Sequence, residues 1–510
     1  MILSKQNLSN INPQPGISIP DEKLLALPEK VLQFGTGVLL RALPDYFIDK
    51  ANKQGIFNGR IVVVKSTATG GVDAFDEQDG LYTVCIRGIE GATKTEENTI
   101  NASISRVLSA TNEWGEILKY ADSPEMQLVI SNTTEVGIIL IKDSVNALPP
   151  KSFPGKLLSF LYRRYNTFEG DKEKGMIIIP TELIIDNGNK LKNILVELAK
   201  QNELDNSFID WLTNNNYFCN SLVDRIVPGK PTQDQHEQTE KELGYQDKLM
   251  IISEAYCLWA IESGEPKVKD VLSFSKTDPG VVIAADIDIF RELKLRLLNG
   301  SHTFSCGLAY LCGFTTVKEA MDNKVFAAYI TGLMMKEIAP AIVSDQISIE
   351  MARDFAGKVI DRYRNPHIDH RWLSIGVQYS SKMRMRTIPV ISRFYQNFGT
   401  TPEYMAIGFA AFLLFMKAQK DDDGKFIGRV NTKTYMITDD NISLITEKWD
   451  HFEGKALVKN ILSDQGLWGF DLTTLPGLQQ AVSEMLGSLE TDGALATLKK
   501  IITPKTIEQS

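Results

Sequence analysis

A short apolar run, Lys30-Val31-Leu32-Gln33-Phe34, passes directly into Gly35-Thr36-Gly37, then into a helical pattern over residues 38–53, then into a second apolar run, Ile61-Val62-Val63-Val64. Two parallel strands need a crossover between them, and a helix entered through glycines is the usual one. The reading is the opening βαβ unit of a Rossmann-type sheet. The glycines let the main chain approach a pyrophosphate, and the helix start supplies N–H groups and the positive end of its dipole. The fingerprint G-x-G-x-x-G is partial, because Leu40 stands at its third glycine and Arg41 follows. Lys65-Ser66-Thr67 stands after the second strand, where an acidic residue would take a ribose 2′-hydroxyl. Residues alone therefore leave NAD and NADP both open.

Further buried runs extend the sheet: residues 81–87, 127–131 and 175–179. The second leads into Asn132-Thr133-Thr134-Glu135-Val136-Gly137, and the third into Pro180-Thr181-Glu182-Leu183-Ile184-Ile185-Asp186-Asn187-Gly188. Small polar residues after a buried strand suit the ligand-facing carboxyl edge of a parallel sheet. Asn187 is a candidate amide donor there, although a plain Asn-Gly turn is the simpler account. Asp224 and Arg225 are adjacent, an arrangement that is usually structural. Residues 1–28 read as a loose lead-in, and the polar stretch 229–246 reads as a linker. The expected division is a Rossmann-type α/β domain over 1–240 and a mostly α-helical domain over 241–510. Helical periods cover 284–298, 302–313, 317–340, 348–363, 370–397, 402–419 and 475–489.

The densest chemistry lies in Leu293-Lys294-Leu295-Arg296-Leu297-Leu298-Asn299-Gly300-Ser301-His302. Lys294 can hold or release a proton, Asn299 offers amide hydrogens to an oxyanion, and His302 can donate or accept beside them. Asn299 and His302 share a helix face, and the lysine stem is long enough to join them. The Asn-Gly pair is also a possible helix break, with Ser301 capping a new helix. A packed helix with a solvated lysine and a hydrogen-bonded histidine explains the same residues. Lysine acting as a base requires a neutral amine, which the leucines and Arg296 would favour.

A net charge of -9 argues against a general nucleic-acid binder, which needs a basic surface. Five cysteines, an odd number without metal spacing, fit a reduced cytoplasmic protein. The polar N-terminus shows no signal peptide, and the apolar run 409–416 is too short to span a bilayer, so no membrane association is expected. Residues 421–424 lack calcium-loop spacing, and His367 with His370 lacks a third ligand, so no metal is expected. Lys382, Arg384 and Arg386 form the densest basic cluster of the helical half, either a solvated face or a carboxylate site. The residues set no oligomeric state.

In order along nearly the whole chain, these segments resemble the mannitol dehydrogenase family of long-chain polyol and uronate dehydrogenases. The resemblance rests on Phe34-Gly35-Thr36-Gly37 with Arg41, Asp79-Gly80-Leu81-Tyr82-Thr83, residues 131–137, Asp186-Asn187-Gly188 and Val223-Asp224-Arg225-Ile226. It continues through Lys294 with Asn299 and His302, Arg364-Asn365-Pro366, and Ser381-Lys382 with Arg386. The phrases QDGLYT, SNTTEVGI and NPHIDHRWLSIGVQYSSKM look most like the uronate-reducing branch; polyol branches usually carry S-L-T-x-T-E-x-G-Y where this chain has SNTTEVGI. The resemblance implies a metal-free, NAD-dependent oxidoreductase acting on a small sugar acid. It implies cofactor binding by Phe34, Gly35, Thr36, Gly37, Val38, Leu39 and Arg41. Lys294 is the implied general acid/base, Asn187 and Asn299 an oxyanion clamp, and His302 an orienting group. Asp224, Lys382 and Arg386 are the expected substrate contacts. A fructuronate reductase or polyol dehydrogenase is the nearest alternative, and a non-catalytic sugar-acid sensor that binds dinucleotide is the alternative outside enzymes.

Overall fold

The structure is a computed structural model that describes residues 1–12, 15–66, 71–91, 93–133, 137–229, 231–430 and 432–502. The chain divides into two compact units, one of residues 1–88 and 94–287, the other of residues 288–510 with residues 89–93. Thr67 and the run Thr134-Glu135-Val136 lie outside the described residues.

In the first unit the strands are β1 (Ile17–Ser18), β2 (Glu29–Phe34), β3 (Arg60–Lys65), β4 (Tyr82–Glu90), β5 (Thr93–Asn101), β6 (Ile104–Ser109), β7 (Leu128–Ser131), β8 (Ile177–Pro180) and β9 (Tyr217–Phe218). They are followed by β10 (Ser221–Asp224), β11 (Ile251–Glu254), β12 (Leu258–Glu262) and β13 (Val281–Ala284). The main sheet has the order β6-β3-β2-β7-β8-β9, with every neighbour parallel. The chain leaves β2 toward β3 on one side and returns to β7 on the other, so strand order reverses there, as in a doubly wound Rossmann sheet. Both faces are covered, as parallel sheets require. Val31, Val63, Ile130 and Ile179 pack with Leu40 and Phe47 on one face. Leu32, Phe34, Val62, Val129 and Ile178 pack with Trp114, Leu157 and Leu195 on the other. Each such side chain taken from water contributes about 1.5–3 kcal/mol.

Two expectations change here. The lead-in is anchored rather than loose, because Leu3, Leu8 and Ile11 are buried against Leu81, Ile100 and Tyr245. The first unit also runs past residue 240 to Ile287, because later strands complete its smaller sheets. Of these, β11 lies parallel beside β4, and β12 pairs with β10 and β13.

The second unit is mostly helical. The helix expected over residues 370–397 is broken into Trp372–Ile375, Tyr379–Lys382 and Ile388–Phe398. Among the described residues, three segments wind as π-helix: Lys294–Gly300, Leu333–Ile338 and Met383–Thr387. A three-stranded antiparallel sheet, β14 (Ala418–Lys420), β15 (Phe426–Val430) and β16 (Lys433–Met436), stands where the sequence suggested only a helix end and a turn. No helix among the described residues is long and apolar enough to cross a membrane.

Candidate active site

The glycine turn is built from the main chain outward. Gly35 donates its N–H to Val64 O at 3.0 Å, and Asn132 donates to Phe34 O at 3.1 Å, so the ends of β2, β3 and β7 are tied together. Gly35 has φ +127°, and a Cβ there would lie 2.9 Å from both Asn132 O and Leu40 Cδ1. Only glycine fits that position. Leu40, standing for the missing third glycine, is fully buried and closes the underside of the turn. Gly37 caps Val38–Ala42 with open space around it. Thr36, Val38 and Leu39 are partly exposed beside it. Beyond β3, Ser66 Oγ is buried without a hydrogen-bond partner among the described residues. A tight glycine cradle at the strand-order reversal, with an orphan hydroxyl where a ribose is expected, fits a dinucleotide.

A buried polar cluster supports the turn from below. Gln33 Nε2 donates to Gly35 O and to Asp45 Oδ2, each at 3.3 Å. Burial pushes the Asp45 carboxyl up to about 8, against the weaker opposing pull of Gln33 and Arg41. Arg41 does not reach toward the exposed side of the turn. Its guanidinium donates to Leu249 O at 2.6 Å and lies over the Tyr82 ring, a structural role in the core.

The loops after β7 and β8 are knotted by Glu182, whose carboxylate accepts from Ser131 Oγ, Thr133 N and Thr133 Oγ1. Glu182 went unnoticed in the sequence, where it is one acid in a polar run. Asn187 is fully buried, and its amide is committed. Nδ2 donates to Pro180 O, Glu182 O and Ser221 O, while Oδ1 accepts from Gly188 N and Ser221 N. Two amide hydrogens already face three carbonyls, so the oxyanion role expected of Asn187 is replaced by that of a lock on the loop. Asp224 is buried at the end of β10. Arg225 does not serve a substrate, since it donates to Glu254 O and Ala42 O.

In the second unit, Asn299-Gly300 does not break the helix. The π winding over Lys294–Gly300 runs straight into Ser301–Leu311, and Ser301 has helical angles. Such winding leaves carbonyls short of partners, and side chains supply them. Ser301 Oγ bonds Leu297 O at 2.5 Å and Leu298 O at 3.1 Å, and the Tyr363 hydroxyl also donates to Leu298 O. Unlike Asn187, Asn299 is partly exposed, and its side-chain amide makes no hydrogen bond to the described residues. Lys294, at the start of the segment, is half-buried. Arg296 does not act as an uncompensated charge beside it, because Glu292 accepts from its Nε at 2.9 Å.

His302 is 6% exposed. Its ring stacks on Tyr363 with centroids 4.3 Å apart and meets His370 edge-on at 4.8 Å. Its Nε2 is buried without a hydrogen-bond partner among the described residues. Burial, then His370, Arg362, Arg386 and Lys382, hold the imidazole well below its ordinary value, so it is neutral. The same neighbours identify a cationic wall. Lys382 donates to Ile375 O at 2.8 Å, and burial followed by Arg386 lowers its ammonium. Arg386 is half-buried, and its guanidinium makes no hydrogen bond or ion pair with the described residues. Sequence reasoning singled out Lys382 and Arg386 through their density. It missed Arg362, which ends a helix, and considered His370 only as a metal ligand. His367 is exposed, and no group of three or more metal-binding side chains occurs among the described residues.

Comparison with known proteins matches both units. Residues 29–272 match the family described as Mannitol dehydrogenase Rossmann domain, and residues 286–490 that described as Mannitol dehydrogenase C-terminal domain. The chain is 36% identical over 470 residues to the altronate oxidoreductase of Halalkalibacterium halodurans, covering 90% of each. It is 35% identical over 476 residues to that of Bacillus subtilis, covering 93% of this chain and 95% of the relative. Among solved structures, the mannitol 2-dehydrogenase of Pseudomonas fluorescens, in ternary complex with NAD and D-mannitol, shares the fold at TM-score 0.67 and 23% identity, covering 99% of this chain and 100% of that one. A D-sorbitol dehydrogenase in substrate-free form does so at TM-score 0.77 and 20% identity, covering 98% and 100%. Matches to both domains and relatives aligned over nine-tenths of the chain show that it belongs to the mannitol dehydrogenase family of polyol and uronate oxidoreductases.

Proposed function

We propose that the protein interconverts D-tagaturonate and D-altronate with NAD(H), using Lys294 as general acid/base. The observation that carries the uronate over a polyol is the Arg386 guanidinium, half-buried, without an acceptor among the described residues, one helical turn from Lys382 and close enough to His302 to depress its imidazole. A partly desolvated guanidinium is stabilised by a bidentate anion, and a sugar carboxylate is the one group a uronate has and a polyol lacks. The relatives named altronate oxidoreductase support the same choice.

The glycine turn, with Ser66, would hold the dinucleotide, which supplies hydride when bound. Reduction of the ketone builds negative charge on its oxygen. Protonated Lys294 gives its proton to that oxygen, and in oxidation neutral Lys294 removes the alcohol proton. Asn299, with its amide uncommitted among the described residues, stabilises the developing oxyanion. Neutral His302 orients a neighbouring hydroxyl through Nε2, and Asp224 completes the substrate contacts. The test is NADH oxidation with tagaturonate, fructuronate and fructose side by side, repeated with NADPH. Fastest turnover on tagaturonate with NADH is expected. Preference for fructose assigns the chain to the polyol branch, and nucleotide binding without turnover on any substrate assigns it to sensing.

A further inference from the structure

The residues assigned to proton transfer and to carboxylate binding sit on two π-wound segments, Lys294–Gly300 and Met383–Thr387. The second has a local cause. Pro389 follows it near the start of Ile388–Phe398 and has no N–H for the carbonyl four residues back, which is that of Met385. A carbonyl freed in this way needs another donor. Arg296 provides it from the first segment, with Nη1 donating to Met385 O at 2.7 Å and to Arg386 O at 3.0 Å. The other side of the same guanidinium is anchored by Glu292, which also accepts from Arg393. The backbones approach closely here. A Cβ on Gly300 would lie 3.5 Å from Arg386 O. Arg296 is itself 7% exposed, so the link is shielded from water.

We propose that Arg296 is a positioning residue that fixes Arg386 in register with Lys294 and Asn299, and so sets the spacing at which a carboxylate and a carbonyl of one substrate are both engaged. The inference rests on the uronate reading above. An uncharged ketose uses only the Lys294 end of this device, so loss of register costs it little. A bulk structural role would instead weaken both substrates alike.

The experiment measures kcat and KM for tagaturonate and for fructose in the wild type, Arg296→Gln, Glu292→Gln and Arg386→Ala. Arg296→Gln is expected to lose about tenfold or more in kcat/KM on tagaturonate, mostly in KM, while fructose changes by less than about threefold. Glu292→Gln keeps both carbonyl contacts and removes only the ionic anchor, so it is expected to show the same split, smaller in size. It also answers the question if Arg296→Gln fails to fold. Parallel losses on both substrates, or an unchanged tagaturonate-to-fructose ratio in the folded variants, overturn the inference. If Arg386→Ala erases the preference and Arg296→Gln keeps it, only the inference falls. If the wild type has no preference for the uronate, the proposed function falls first.

Discussion

The glycine turn of the first unit and the helical wall of the second present their polar groups by opposite means. At the turn, the main chain does the work: strand ends are bonded to one another, one glycine admits a close approach, and the loop after β8 is locked by a side chain committed to backbone groups. Asn187 shows this, with an amide saturated by carbonyls and N–H groups of its own unit. In the wall, the side chains do the work. Among the described residues, Asn299 has an uncommitted amide, His302 an orphan nitrogen and Arg386 a guanidinium without an acceptor. A surface made from backbone tolerates most side-chain changes but not a change of shape. A surface made from unsatisfied side chains behaves the other way.

The contrast is broken most strongly at Lys294. Lys294→Ala should lower turnover by about 10²–10⁴-fold while NADH affinity, measured by fluorescence titration, stays within about twofold. Near-normal turnover removes the acid/base role. On the turn, Gly35→Ala should do the reverse. A side chain at φ +127° meets two atoms at 2.9 Å, a strain of about 1–3 kcal/mol, which weakens NADH binding by about tenfold or more. Unaltered binding would show that this turn does not hold the nucleotide.

The smallest expected effect sharpens the picture beneath the turn. Asp45, raised from 3.8 to about 8, binds a proton in the folded chain over a range where the unfolded chain does not. Its contribution is therefore lost as pH climbs through that window, and folding stability falls from about pH 4 toward pH 8. Asp45→Asn should flatten that part of the denaturant-derived stability profile, and an unchanged slope would place the charge elsewhere. His302 acts with the opposite sign. Held neutral by burial, it makes the fold less stable as pH drops below its ordinary value, 6.5.

The two regions were also unequally legible. Strand, glycines and helix are neighbours in sequence, so Phe34 to Leu39 announced the turn and short apolar runs marked several strands of the sheet, while their order came from the structure. Arg41 misled because a conspicuous charge beside a glycine motif suggests a ligand, whereas packing against Tyr82 and Leu249 decides its direction. Asn187 stands on a polar loop that suggests a free donor, whereas the carbonyls of Pro180, Glu182 and Ser221 take up its amide. The wall joins residues from 294 to 386, and no periodicity reports which of them meet. The π winding at Met383–Thr387 has a local trigger in the absent N–H of Pro389, but the donor that takes up the freed carbonyls, Arg296, is distant in sequence, so the arrangement leaves no local pattern. The sheet at 418–436 was hidden because its strands are three to five residues long and flank an acidic turn.

The claim on which the account rests is that the wall reads a carboxylate through Arg386. The direct measurement is the ratio of kcat/KM for tagaturonate to that for fructose, in the wild type and in Arg386→Ala. Loss of a charge-assisted bidentate contact predicts a ratio reduced by about tenfold or more, carried by KM for the uronate, with fructose nearly untouched. A ratio that Arg386→Ala leaves unchanged, in a variant that still folds and binds NADH, contradicts it.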